Sequence, residues 1–95
     1  MQARITRFKM RPDAAEAARD LLNRLKGEIM AQPGIARCIA VMNPDGAGYV
    51  IAEIDDEGSL PESVDRVRAL WKKFHDHLET APEPEIYEVL ADWSA

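Results

Sequence analysis

Ninety-five residues, 46% apolar and 31% charged, suffice for one domain with a single modest core and not for two. The net charge of −5 argues against a general nucleic-acid binder, which needs clustered Lys and Arg to meet phosphates. One cysteine, Cys38, excludes an internal disulfide and a Cys-based zinc site within one chain, and no apolar run nears the ~20 residues that cross a bilayer. No secretory leader pattern opens the chain, so a cytoplasmic protein is expected.

Residues 2–10 alternate in character and predict a strand that Pro12 stops. Asp13 stands where a helix N-cap belongs. The stretch 14–31 is rich in Ala, Leu, Glu and Arg and predicts a helix. Its apolar stripe is Ala14, Ala18, Leu21, Leu22, Leu25 and Ile29. Gly27 weakens this helix by up to ~1 kcal/mol relative to Ala, and Pro33-Gly34 ends it. Residues 35–42 predict a second strand. A dense turn signal follows from Asn43 to Gly48, and residues 49–55 predict a third strand, hairpin-linked to the second by a loop of about six residues.

Ser59 and Glu62 have capping-box spacing and predict a helix that runs to about Thr80. Val64, Val67, Leu70, Trp71, Phe74 and Leu78 make its stripe. Ala81-Pro82-Glu83-Pro84 breaks it, and residues 85–93 predict the last strand.

The order βαββαβ predicts one α+β domain over residues 1–95 of the ferredoxin-like kind, a four-stranded antiparallel-type sheet with both helices on one face. Right-handed crossovers are expected to set the first and third strands side by side as a central parallel pair, with the other two at the edges. In that arrangement Arg7 neighbours Glu53, and Lys9 neighbours Asp55. Thr6, Phe8, Met10, Val50, Ala52 and Ile54 share the side under the helices. Arg4 fits that apolar side poorly. The opposite face is mixed, with Ile5, Tyr49, Ile51, Ile86 and Leu90 among Arg7, Glu53, Glu88 and Asp92. Such a face predicts a contact surface, and a homodimer through it is the simplest expectation. RNA binding would require stacking aromatics in a basic surround, and only Tyr49 qualifies.

Three segments carry a resemblance. They are Lys9-Met10-Arg11-Pro12-Asp13 before an acidic helix, Pro33-Gly34-Ile35, and Tyr49-Val50-Ile51-Ala52-Glu53-Ile54. Over nearly its whole length the chain resembles the antibiotic-biosynthesis-monooxygenase-type group of dimeric α+β barrels. The resemblance implies a ferredoxin-like protomer whose sheet packs on its partner's sheet. Some members of the group oxidise polycyclic aromatic substrates with oxygen and no cofactor, others degrade haem, and many have no known activity. The chain departs from the group at three places. Asp55 stands where many members have a Trp, Val64-Asp65-Arg66 where members often have a His, and Thr6 and Arg7 nearest the Asn of haem-degrading members. A haem-degrading role is therefore not implied, and no cofactor is expected.

The candidate site lies between the second helix and the sheet. Thr6, Phe8 and Trp71 are the expected substrate-binding residues, and His75 or Tyr87 the expected catalytic proton donor or acceptor to a substrate oxygen. Small residues, Thr6, Ala52 and Ala91, are expected on the helix-facing side of the sheet opposite the large rings of Trp71 and Phe74, and the sequence leaves open whether they interdigitate with the rings or leave a cavity. No metal site is expected. On a helix His75 and His77 point about 200° apart, and Asp55-Asp56-Glu57 lacks the spaced ligands of a Ca²⁺ loop. Two functions remain. One is a cofactor-independent oxygenase acting on a small apolar or aromatic substrate. The other is a non-catalytic dimeric ligand-binding or accessory module.

Overall fold

Alternation along the first strand decides which surface the helices cover. A computed structural model describes residues 1–55 and 60–95, with 60–63 as backbone only. In β1 (Gln2–Lys9) the side chains of Thr6 and Phe8 turn to the helices, and Met10 just beyond the strand continues the series. All three are buried. In β3 (Ala47–Ile54), Ala52 and Ile54 do the same. With β2 (Ile35–Met42) and β4 (Glu83–Glu88) they form one four-stranded sheet in the order β2-β3-β1-β4.

The central pair is antiparallel, not parallel. The helical crossover gives β1 and β2 the same direction, but β3 returns from β2 through a hairpin and slots between them. It therefore opposes both neighbours. The reversal changes which residues meet and leaves unchanged which share a face. Arg7 lies opposite Tyr49, not Glu53, and Lys9 opposite Ala47, not Asp55. Glu53 instead faces Ala3 on one side and Arg37 on the other.

On β4 the expected faces are inverted. Ile86 lies opposite Arg4 and so shares the helix side, whereas Glu83, Glu85 and Tyr87 lie opposite Arg7, Ile5 and Ala3 on the open side. A one-residue step in phase moves every side chain of a strand to the other face. The strand ends at Glu88, so Leu90, Ala91 and Asp92 belong to an irregular tail.

The first helical region is three pieces. A 3-10 turn over Pro12–Ala14 starts it, with Arg11 as N-cap and no capping bond from the Asp13 side chain. Helix α1 (Ala15–Arg24) and helix α2 (Lys26–Met30) follow. Between them the Leu25 N–H is shared by the carbonyls of Leu21 and Leu22, at 3.0 and 3.1 Å. The break falls at Leu25, before Gly27, and leaves Leu25 buried in the core with Phe8, Met10, Ala18 and Phe74.

Helix α3 (Leu60–Lys72) stops well short of Thr80. Its capping-box residue Ser59 lies outside the described residues. Sheet pairing takes over the chain beyond it. The Glu79 N–H donates to the Lys9 carbonyl and the Arg11 N–H to the His77 carbonyl, each at 2.8 Å, and Met10 bridges Leu78. Backbone polar groups at the end of β1 need partners, and residues 77–79 supply them as the chain leaves a 3-10 turn through extended Leu78.

The hairpin loop is four residues, Asn43 to Gly46, because β3 begins at Ala47. Gly46 adopts φ +92° and accepts the Met10 N–H at 2.8 Å. A Cβ there would collide with the Met10 carbonyl, whereas a Cβ at Gly27 meets nothing within 4 Å. Gly46→Ala is accordingly expected to cost about 2–3 kcal/mol through backbone strain and steric displacement. Gly27→Ala is expected to stabilise by about 0.5 kcal/mol through helix propensity. Urea unfolding midpoints for the two variants check both signs.

Candidate functional site

Small side chains on both layers leave a space between the helices and the sheet. Thr6, Ala40 and Ala52 form part of the floor and Ala18 part of the roof of a cavity of about 350 Å³. Its two ends differ in chemistry. One is aromatic: the Phe8 and Trp71 rings are 5.9 Å apart at 45°, and Trp71 and Phe74 are 5.7 Å apart at 54°. Tilted rings at such spacings pack favourably edge against face.

The other end is polar. Arg4, on the apolar side of β1, reaches the cavity wall, where its Nη2 donates to Gln32 Oε1 at 3.0 Å. Gln32, in the turn after α2, is 7% exposed. Cys38 on β2 lies on the same wall. Burial lowers the pKa of the Arg4 guanidinium, and burial raises that of the Cys38 thiol. Their mutual attraction opposes both shifts, since a cation favours a neighbouring thiolate and the reverse. Loss of the charged form in a low-dielectric setting is the dominant cause in each case.

The expected site residues divide. Thr6, Phe8 and Trp71 stand on the cavity wall. His75 does not. Since α3 has already ended, it sits on a 3-10 turn over His75–His77 and faces solvent. Tyr87 does not either. The phase of β4 puts it on the open face, where its hydroxyl donates to Glu85 on the same strand, and that hydrogen bond holds the phenol above its ordinary pKa. Among the described lining residues the ionisable groups are Arg4, Arg19 and Cys38. Gln32 and Cys38 gave no advance signal. Arg4 did, as the one charged side chain in the Arg4-Thr6-Phe8-Met10 series.

The uncovered face of the sheet is the second surface of note. Ile39, Val41, Tyr49 and Tyr87 are 40–47% exposed on it. Arg7 is ion-paired with Glu83. Basic Arg7, Lys9 and Arg37 are matched on this face by acidic Glu53, Glu83 and Glu85. The tail after β4 is tied to the same end as the start of β1: the Val89 N–H donates to the Met1 carbonyl at 3.1 Å, and Asp92 pairs with Arg37 at 3.4 Å. Along this tail Leu90 and Trp93 are 92% and 91% exposed.

No family model and no curated protein matches the chain. Solved structures do. A protein of unknown function from Nitrosomonas europaea is 21% identical, with a TM-score of 0.81 over 99% of this chain and 93% of that one. A conserved protein from Methanosarcina mazei Go1 is 20% identical, with a TM-score of 0.74 over 92% of this chain and 91% of that one. An antibiotic biosynthesis monooxygenase is 16% identical, with a TM-score of 0.75 over 96% of this chain and 100% of that one. Sheet order, helix placement and these likenesses together give the chain the ferredoxin-like α+β fold of the antibiotic-biosynthesis-monooxygenase-type structures.

Proposed function

We propose that this chain is a monooxygenase-like dimeric α+β barrel protein that takes a small, largely apolar aromatic substrate into the cavity between sheet and helices. The observation that carries this reading is the cavity itself: about 350 Å³, walled by Phe8, Trp71 and Phe74 at one end and by Arg4 and Gln32 at the other. Pockets for small organic ligands are mostly apolar with a few placed polar groups. A flat ring system stacks against Trp71 and Phe8, and a ring oxygen meets Thr6 or the polar end. Oxygenation is the reaction that the name of the similar monooxygenase structure favours by analogy of fold. The protomers join through the open sheet face, where exposed apolar residues lie among matched charges.

One observation favours a second reading, a non-catalytic dimeric ligand-binding or accessory module. Among the described residues lining the cavity there is no His, Tyr, Asp or Glu to act as a general base. The two readings share the binding step and part at turnover.

A naphthalene-diol of the quinol type tests them. Its binding is expected to quench Trp71 emission, and Ala52→Leu, which fills the cavity floor, is expected to weaken binding at least tenfold. Oxygen uptake that Ala52→Leu abolishes favours the oxygenase, and binding without uptake favours the module. Unaltered emission at saturating diol would sink the cavity reading.

Cys38 gives an independent readout. Its raised pKa keeps the thiol protonated in the folded chain above the range where an unfolded-chain thiol ionises. Alkylation by iodoacetamide at about pH 8.5 is therefore expected to be slower in native protein than in urea, and slower again with the diol bound. By the same sign, the contribution of this thiol to stability is present below its unfolded-state pKa and is lost as pH rises through the folded one.

Ile39→Glu places a carboxylate on the open face and is expected to raise the dimer dissociation constant at least tenfold, as read by sedimentation. Wild-type protein that sediments as a monomer at all concentrations refutes the dimer.

A further inference from the structure

Arg4, Thr6 and Phe8 stand in line on the helix side of β1 and all three line the cavity. At ~3.3 Å per residue the first and last are about 13 Å apart along the strand. A flat ligand seated on the Phe8 and Trp71 rings therefore points its far edge over Thr6 toward the Arg4 guanidinium. The chemistry of that edge decides which ligands the cavity accepts.

The lining carries charge of one sign. Among the described lining residues the charged side chains are Arg4 and Arg19, and no Asp or Glu stands with them. Arg19 is exposed on α1. Arg4 is half-buried, and its Nη2 is held by the buried Gln32. Gln32 is an amide, so this bond sets the plane of the guanidinium without cancelling its charge. A guanidinium carries five N–H donors in a rigid fork, which can serve an amide and the two oxygens of a carboxylate together. Burial has stripped water from this cation, which is what lowers its pKa. An anion seated beside it returns favourable charge contact that a neutral ligand of the same shape does not. The chain as a whole carries −5 and has no general attraction for acids, so a preference for them is local in origin.

We infer that the ligand of the cavity is an aromatic carboxylate, with one or two fused rings on Phe8 and Trp71 and its carboxylate on Arg4, and that the Arg4–Gln32 pair selects acids over neutral aromatics of the same shape. The inference rests on the cavity reading proposed above and adds the charge of the ligand and the residue that reads it. Gln32 is a positioning residue that acts through Arg4.

The test titrates the full chain by calorimetry with 2-naphthoate and with 2-naphthamide, near neutral pH, where the acid is ionised and the amide is not. Wild type is expected to bind the acid about tenfold tighter or more, as a charge-assisted bidentate pair provides. Arg4→Met is expected to bring the ratio of the two affinities to one or below. Where that variant does not fold, Arg4→Gln gives the same reading. Gln32→Glu, of the same size, is expected to abolish the preference too, because it hands Arg4 an internal carboxylate. Arg19→Met is expected to keep it. Equal binding of acid and amide by wild type overturns the acid class and leaves the apolar cavity standing. So does a preference that survives Arg4→Met or Gln32→Glu, or one that Arg19→Met removes. If neither naphthalene compound binds and the diol does not bind either, the cavity reading falls as well.

Discussion

The structure hangs on the two-sided pairing of β1. As the second strand from one edge, it donates and accepts along both flanks, to β3 over residues 2–9 and to β4 over residues 2–7. That double ladder fixes the pleat, and the pleat fixes the contents of each surface. The even-numbered side chains become cavity floor and core, and the odd-numbered ones become the mixed open face. Interior packing, the cavity and the mixed open face are thus three outcomes of a single alternation. No residue of β1 is free to change sides without moving all of the others.

The cavity is a consequence of size contrast rather than of any special backbone. Ala18, Ala40 and Ala52 stand where larger side chains would fill the space between the layers, while Phe8, Trp71 and Phe74 prop the layers apart at one end. Close-packed interiors leave few voids larger than a water molecule, so a space of this size signals a vacancy that the sequence maintains. Placing Arg4 at its far end adds an electrostatic cost, visible in the lowered pKa of the guanidinium, that an apolar residue would avoid.

What could be read from the chain was the short-range physics. Period-two alternation identified the buried sides of β1 and β3, and the Pro-Gly and Asn-Pro-Asp-Gly signals placed the turns. Thr6, Phe8 and Trp71 were legible as wall residues because each sits in phase with its element's apolar stripe. The misread features all depend on long-range partners. Strand direction at the centre of the sheet is set by which strand inserts between β1 and β2, which no local pattern encodes. The phase of β4 is ambiguous because Glu83, Glu85, Ile86, Tyr87 and Glu88 give no clean alternation. Helix α3 ends early because β1 captures residues 77–79, a tertiary event that propensity cannot foresee. His75 lost its expected place to that capture, and Tyr87 lost its place to the phase of its strand.

That capture also sets the two ends of the cavity apart in kind. At the aromatic end, the paired backbones of Lys9–Arg11 and His77–Glu79 rivet the exit of α3 to the sheet. At the polar end, the turn after α2 is tied down by backbone bonds from the Ile35 N–H to the Gln32 carbonyl and from the Asp55 N–H to the Gly34 carbonyl, and Arg4 adds a side-chain bond to Gln32. Both ends are thus framed by fixed backbone, and a guest of the cavity would meet tilted rings at one end and a half-buried cation held by an amide at the other.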